Sequence, residues 1–454
     1  MAGQQQKPQT SASVPGAAVR MGTATLSLEQ APPISVPLRF FLTAPLFAIA
    51  AALALLSLGP AVWASRWSAG ALAVTHLMTL GFLAMVMIGA LMQMLPVVAG
   101  APVAQARRVG SRVHVLLSLG TLALAGGFLF ARAPLLALAL ALLALAFVAF
   151  IGAAAGSLVR ARAAAITVRG IRLSIGALGV TVCVGLLLGA GRTWHQPLAV
   201  SRLAALHLAW GLLGWVGLLV VGVGFQVVPM LQTTPHYPRI LTGHLTRAIF
   251  VTLLLWSSAQ WLSGHLTLAR ESAPALASLL GLGYAVFAAT TLVLQQRRRR
   301  EMPDITVRFW RIGMTSLLAC AVLGWMGLWG PRGVSTSIEI TWGILAILGF
   351  GVSVINGMLY KIVPFLVWLH LQASPAGRGK LPNMKQIIPE RRAGIQFWLH
   401  LAALLLLLAG AAWMPRLLAY PAAAALGFSN LLLWLNLVSA WRLYKRILAE
   451  GFPG

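Results

Sequence analysis

The chain has 454 residues, of which 59% are hydrophobic and only 9% are charged, so it lacks the polar surface that a soluble globular protein needs. Its formal net charge of +27 is large enough to suggest a nucleic-acid-binding protein, but the basic residues cluster at the ends of apolar segments. Apolar runs of about 20 residues recur along the chain, each long enough to cross a bilayer as a helix. The composition therefore predicts a multi-pass membrane protein whose constant partner is the lipid bilayer, and it argues against a nucleic-acid partner.

The predicted elements begin with residues 1–36, which are rich in Gln, Ser, Ala and Pro and are expected to form a disordered cytoplasmic tail. This tail lacks the charged, apolar and cleavage regions of a signal peptide in their usual order. Residues 37–446 are predicted to form an all-α transmembrane domain, followed by a short cytoplasmic tail at 447–454. The twelve predicted spans lie at about 37–59, 71–98, 112–130, 134–156, 170–190, 202–231, 244–264, 273–295, 310–329, 338–370, 395–414 and 418–441.

Basic residues are distributed unequally between the two sides of the predicted spans. Of the 34 Lys and Arg, 26 lie in the tails, in the even-numbered connections or beside them, seven lie on the other side, and Lys361 lies inside a span. The positive-inside rule then places both termini in the cytoplasm, which requires an even number of spans. We expect the protein in a bacterial inner (cytoplasmic) membrane.

A motif, Gly-x-x-x-(Gln/Lys)-x-x-Pro, occurs three times, near the ends of spans 2, 6 and 10. Its prolines lie 133 and 135 residues apart, which predicts three pseudo-repeated arcs of four helices each. The polar residue of each copy either bonds carbonyl groups that the proline frees or lines a polar path. Lys361 has a further interpretation, because its side chain can extend to the inner headgroups. The polar residues are Gln93, Gln226 and Lys361, and the prolines are Pro96, Pro229 and Pro364.

Two histidines are the strongest sequence signal for chemistry. His76 and His207 lie 20 and 22 residues before the motif prolines of their spans, or roughly 30 Å along a helix. Both are therefore expected inside the membrane near its outer side. Imidazole is a common ligand of haem iron and copper, although a helical histidine can also simply bond a carbonyl group. His265 is predicted at a similar depth, so His207 and His265 are also candidate copper ligands.

Several other chemistries find little support in the sequence. Cys183 and Cys320 lie in separate spans without a Cys-x-x-Cys motif, which excludes a thiolate zinc site and c-type haem attachment. The seven acidic residues fall in tails, connections or span edges, which disfavours a proton pump that relays through buried carboxylates. No phosphate-binding loop or nucleophile elbow occurs.

The predicted arrangement of twelve spans, cytoplasmic termini and three four-helix units resembles subunit I of the haem–copper oxidase superfamily. The likeness is closest to the short subunit I-like proteins and more distant to the NnrS family. The likeness is best in span 2, where His76-Leu-Met-Thr-Leu-Gly-Phe is followed by Gly89, Pro96 and Gly100-Ala-Pro102. The resemblance implies that His76 ligates a low-spin haem b and that His207 occupies roughly the place of the first copper ligand.

The sequence also departs from that family. The oxidases carry His-x-His in span 10, where this chain has Trp342 and Ile344, and adjacent histidines in span 7, where it has residues 250–256 without histidine. Gly211 stands where the oxidases often have a tyrosine. The resemblance therefore implies an oxidoreductase of cytochrome c oxidase or nitric oxide reductase type whose usual binuclear-centre ligands are missing, and not a complete oxygen-reducing oxidase.

Three functions follow from these observations. The first is a haem b protein, with His76 and a further ligand or copper at His207 or His265, that serves respiratory electron transfer or the handling of oxygen or nitric oxide. Its partners would be a cytochrome electron donor or subunits of a respiratory complex. The second is a haem-free transporter or metal-handling protein with a path along Gln93, Gln226 and Lys361. The third is an assembly partner of a respiratory complex.

Overall fold

The computed structural model describes residues 20–21, 24–25, 32–161, 166–299, 304–330, 336–374 and 381–450. Within these residues, twelve helices are long and apolar enough to cross a membrane, as the sequence predicts. Most of them extend several residues beyond the predicted edges. We call them spans 1 to 12: Ser35–Trp63, Ala69–Val97, Ala106–Leu129, Ala133–Arg160, Ile166–Thr193, Val200–Gln232, Arg239–Leu262, Thr267–Gln296, Ile305–Trp329, Ser337–Gln372, Glu390–Ala412 and Pro415–Glu450.

The other described elements are small. Strands Arg20–Met21 and Ala24–Thr25 pair antiparallel, and a short helix, Met384–Ile387, precedes span 11. Most of the predicted N-terminal tail, and residues 451–454 of the predicted C-terminal tail, lie outside the described residues. The last helix continues to Glu450, past the predicted domain edge at residue 446.

Spans 2, 6 and 10 lie at the centre of the bundle. In the most apolar stretches of spans 2, 6 and 10, 61, 72 and 56% of the residues are buried. In each of the other spans, at most 50% of the residues in the corresponding stretch are buried. Spans 1 and 12 pack against each other, so the first and last helices are neighbours around this centre. A helix that is apolar on all sides and enclosed by other helices is suited to hold a buried cofactor.

Each of the three central helices contains a stretch of π-helix in its described residues, and these stretches are Leu77–Ala84, Ala209–Gly217 and Leu345–Val352. They begin 19, 20 and 19 residues before the prolines of the three motif copies. His76 directly precedes the first stretch, and His207 lies two residues before the second. A π-helical turn rotates the side chains around it and is common at functional sites. The repeated motif thus coincides with a repeated local change in helix geometry.

Spans 5 and 6 approach each other most closely at two glycines, Gly170 and Gly222. A methyl group on Gly170 would lie 2.5 Å from the Cα atom of Gly222, which is closer than non-bonded carbon atoms can approach. Small residues of this kind allow helices in a membrane to pack backbone against backbone. This contact holds span 5 against span 6, which carries His207.

We expect Gly170→Ala to weaken the bundle, because the contacting group is backbone and cannot rotate away. Overpacking of this kind destabilises by about 1–3 kcal/mol, which should lower the thermal unfolding temperature in detergent by about 1–3 °C in a chain of this length. Gly176→Ala in the same helix is the matched control, since a methyl group there meets no atom of the described residues within 4 Å. Equal unfolding temperatures for the two variants would contradict the predicted close contact.

Candidate functional site

A large cavity lies among the central helices. Its volume is about 1260 Å³, above the range of roughly 300–1,000 Å³ typical of small-molecule sites. Most of the lining side chains are apolar, and they come from spans 1 to 6 and 9 to 12. Among the described residues, the polar groups that line it include His76, His207, Thr75, Thr79, Thr181, Arg66, Arg192, His195, Gln196 and Glu339.

The two predicted histidines face each other across part of this cavity. The ring centres of His76 and His207 lie 6.2 Å apart, and the ring planes are inclined by only 22°. One ring comes from span 2 and the other from span 6. The structure therefore brings together two residues that are 131 positions apart in the sequence.

A backbone carbonyl group orients each ring. The His76 Nδ1 atom donates to the Leu72 oxygen at 2.7 Å, one turn earlier in the same helix. The His207 Nδ1 atom donates to the Thr181 oxygen of span 5 at 3.0 Å. Because a carbonyl oxygen can only accept, Nδ1 must carry the proton in both rings. The Nε2 atom of each neutral ring then keeps a free lone pair, which is the arrangement found in metal-binding histidines.

The Nε2 atoms are available within the described part of the chain, where neither of them has a hydrogen-bond partner. His207 also lies directly against span 5, and a methyl group on Gly185 would be 2.7 Å from its Cε1 atom. Gly185 is one turn after Thr181, so a single helical turn supplies both the carbonyl group and the space that the ring needs. The position of the His207 ring thus depends on the absence of a side chain at residue 185.

Positive charge gathers where the cavity opens, at the end of the bundle that carries the odd-numbered connections. Arg66 Nε lies 3.1 Å from Glu339 Oε2, and the Arg66 guanidinium lies 4.7 Å from the centre of the Trp67 ring. The Arg192 guanidinium lies 5.6 Å from the Phe128 ring, which in turn contacts His76. The Arg66–Glu339 pair is more than one-third exposed on both sides, so we assign it little stability. The two arginines leave this opening with a net positive charge, which favours a ligand with anionic edge groups.

The structure separates His265 from the histidine pair. His265 lies in the connection between spans 7 and 8 and does not line the cavity, whereas His195 does. No group of three or more His, Cys, Asp or Glu side chains that could hold a metal ion occurs in the described residues. A copper site at His207 and His265 therefore stays a prediction for which the contacts of the described chain give no support.

The three polar motif residues have separate surroundings. Lys361 Nζ lies 2.7 Å from Asp304 Oδ2, and Gln226 Oε1 accepts a hydrogen bond from Thr167 at 2.9 Å. Gln93 is buried, and its Oε1 atom has no partner in the part of the chain that the structure describes. These three residues do not line the large cavity. A transport path along them stays a prediction, and the ion pair gives Lys361 a structural role at the start of span 9.

The sequence pattern predicts the two histidines but not the backbone carbonyl groups that orient their rings. The sequence around Gly185 does contain a signal of close helix packing. Gly185, Gly189 and Gly191 occur within seven residues of span 5, and small residues are typical of close contacts between membrane helices. The carbonyl groups of Leu72 and Thr181 carry no side-chain signal. No protein-family model matches the chain, and no curated protein matches it in sequence.

Proposed function

We propose that the protein binds one haem b in the large cavity, where His76 and His207 would hold its iron. The distance between the rings carries this proposal. The ring centres of His76 and His207 lie 6.2 Å apart, and with metal–imidazole bonds of roughly 2.0–2.1 Å both rings could bind one iron ion at about this separation.

The surroundings of the pair fit haem. The cavity is large and mainly apolar, which suits the porphyrin, and Arg66 and Arg192 at its opening suit the two propionate groups. Both histidines have the Nδ1 atom bound to a carbonyl group, so that Nε2 is the atom left for iron.

Two histidine ligands favour electron transfer over oxygen reduction. Haem iron held by two imidazole ligands would supply one-electron chemistry. The protein would supply fixed ligands, an apolar environment and a basic opening for the propionates. We therefore propose a role in respiratory electron transfer in a bacterial inner membrane, with a cytochrome or a respiratory-complex subunit as partner.

We also propose that the bundle is built from three repeated arcs related to those of haem–copper oxidases, with both termini in the cytoplasm. The support is the coincidence of three motif copies, three π-helical stretches and three central helices among the described residues. In the third arc, Trp342 lines the cavity and donates its Nε1 hydrogen to the Cys320 oxygen at 3.1 Å. A tryptophan at this place is consistent with a site that uses ligands from only two arcs.

The proposal is tested by purifying the protein from haem-replete cells and measuring its metal and haem content. We expect one haem b per chain by pyridine haemochrome assay, one iron per chain by elemental analysis, and a low-spin visible spectrum. A colourless preparation would refute haem binding. One copper per chain without haem would assign the histidine pair to copper instead.

A further inference from the structure

Three arginines form a cluster between spans 5 and 7, at the end of the bundle that carries the even-numbered connections. Arg169 and Arg172 lie in the first two turns of span 5, and Arg247 lies in the third turn of span 7. Arg172 and Arg247 are exposed, and Arg169 is half-buried. None of the three lines the large cavity, which opens at the other end of the bundle.

Backbone carbonyl groups of two neighbouring helices hold this cluster in place. Arg169 Nη2 donates to the Thr242 oxygen of span 7, and Arg172 Nη2 donates to the Leu158 oxygen of span 4 at 2.9 Å. Span 5 also packs against both of these helices. The two guanidinium groups are therefore fixed at the surface of span 5, between spans 4 and 7, which reduces the conformational entropy that binding a ligand would cost.

The positive charge of the cluster has no counter-ion within the described residues. Arg247 lies close enough to Arg169 for the two guanidinium groups to repel each other. The three ion pairs of the described chain all involve other residues. Arg169 Nε is also buried without a hydrogen-bond partner in this part of the chain, so the protein leaves its bonding incomplete. An anionic ligand would relieve the repulsion.

An open apolar surface continues from the arginines toward the middle of the bundle. Gly176 and Gly179 follow Arg172 by four and seven residues, so they share its face of span 5. A methyl group on either glycine would meet no atom of the described residues within 4 Å. On span 7, the exposed side chain of Val251 follows Arg247 by four residues. A cluster of positive charge next to an open apolar strip matches the polarity of a phospholipid.

The depth of the cluster favours a lipid headgroup over a soluble anion. Span 5 has 28 residues and is about 42 Å long, which is similar to the thickness of a bilayer with its headgroups, about 40–45 Å. The first two turns, with Arg169 and Arg172, then lie at the level of the lipid phosphates. Guanidinium groups bind phosphate through paired hydrogen bonds, and basic pockets between membrane helices are typical sites for anionic headgroups.

We propose that this surface, the basic groove formed by Arg169, Arg172, Arg247, Gly176 and Gly179, binds one anionic phospholipid. The lipid phosphate lies among the three guanidinium groups, and an acyl chain lies along the glycines of span 5. A single phosphate satisfies several guanidinium donors at once. This inference concerns a surface outside the large cavity and does not depend on haem binding.

A purely topological role of the arginines makes a different prediction. Basic residues at this end of the bundle are expected from the positive-inside rule, and they attract anionic lipids in general. In that case the number of arginines matters but their position does not. Removal of two arginines inside the groove and of two outside it then has the same effect on lipid binding, which separates the two interpretations.

The test is native mass spectrometry of the delipidated full-length protein in a neutral detergent, titrated with dioleoylphosphatidylglycerol. We expect one such lipid per chain to bind at least tenfold more tightly than dioleoylphosphatidylcholine, which has the same acyl chains but no net charge. Arg172→Gln/Arg247→Gln should weaken the binding of phosphatidylglycerol at least tenfold. The matched control is Arg297→Gln/Arg308→Gln, which removes two exposed arginines at the same end of spans 8 and 9 and should keep the wild-type affinity.

The apolar part of the groove has its own variant. Gly176→Leu fills the open space without a change in charge, so we expect it to weaken phosphatidylglycerol binding several-fold. Inorganic phosphate is the second probe, because it carries the same anionic group without acyl chains. A hundredfold molar excess of phosphate should not displace the lipid. Unchanged affinity in Gly176→Leu would overturn the groove as the binding surface.

Three further outcomes would overturn the proposal. The first is equal affinity for the two lipids, or an equal loss in the groove and control variants. The second is displacement by inorganic phosphate, which would assign the arginines to a soluble anion. The third is a dimer that Gly176→Leu abolishes, which would assign the surface to a second copy of the chain.

A single variant keeps the test decisive if the double variant does not fold, as judged by gel filtration. Arg247→Gln alone then carries it, because Arg247 forms no ion pair in the described chain that its loss would break. We expect it to weaken phosphatidylglycerol binding several-fold, and wild-type affinity would overturn the proposal. The measured quantity is the mass of bound lipid, so failure here is distinguishable from failure of haem binding.

Discussion

His207→Ala is expected to abolish the low-spin haem spectrum of the purified protein, and His76→Ala is expected to do the same. Each histidine supplies one of two axial ligands in the proposed site, and the contacts of the described rings offer no third imidazole at this pair. Loss of groups that only orient a metal ligand typically reduces affinity by about 10–100-fold, so loss of the ligand itself should reduce haem affinity at least as much. Haem per chain and the visible spectrum measure both effects.

His114→Ala is the control for this experiment. His114 Nε2 lies 2.9 Å from the Thr43 hydroxyl, its ring packs edge-on against Phe40 at 5.3 Å, and it does not line the large cavity. Its replacement should leave haem content unchanged. Equal loss of haem from His114→Ala and His207→Ala would contradict the site, and a low-spin spectrum retained in His207→Ala would show that another residue is the second ligand.

The number of spans could be predicted because membrane helices are defined mainly by length and composition. All twelve predicted segments correspond to helices of the described residues. The predicted ends of the spans were less accurate than their number. Span 12 continues to Glu450, although the apolar sequence ends near residue 441. Helical hydrogen bonds continue past the apolar region as long as no residue breaks them.

The histidine pair was partly predictable. Their similar distances from the motif prolines indicated a similar depth for His76 and His207, but depth does not determine which helices face each other. That depends on packing contacts such as Gly170 against Gly222, which only the folded chain displays. The π-helical stretches were also invisible in the sequence, because π and α turns differ in one hydrogen bond and not in composition.

Lys361 shows why a polar residue within a span is ambiguous from sequence alone. Its place in the motif predicted either a functional path or a contact with the inner headgroups. The structure pairs its Nζ atom with Asp304 at 2.7 Å, and Asp304 also caps span 9 by accepting from the Thr306 backbone. Asp304 lies 57 residues earlier in the chain, so the pairing could not be read from local pattern.

Gly185→Ala is expected to weaken haem binding without removing either histidine. The added methyl group would lie 2.7 Å from His207 Cε1 and 3.1 Å from Nδ1, so the ring must move away from span 5. This movement breaks the 3.0 Å hydrogen bond to the Thr181 oxygen, which fixes both the tautomer and the direction of the ring. Loss of such an orienting contact reduces metal affinity by about 10–100-fold, so the haem affinity of the apoprotein, measured by haem titration, should fall by about tenfold or more.

Gly179→Ala in the same helix isolates this effect, because a methyl group at residue 179 meets no atom of the described chain within 4 Å. Both substitutions make the same chemical change in span 5, and both favour helix formation slightly. They differ in whether the methyl group meets His207. Unchanged haem affinity in Gly179→Ala with about tenfold weaker affinity in Gly185→Ala would tie haem binding to the orientation of His207. Unchanged affinity in both variants would mean that His207 is not a ligand, since a ring displaced from its carbonyl partner could not hold the iron unchanged.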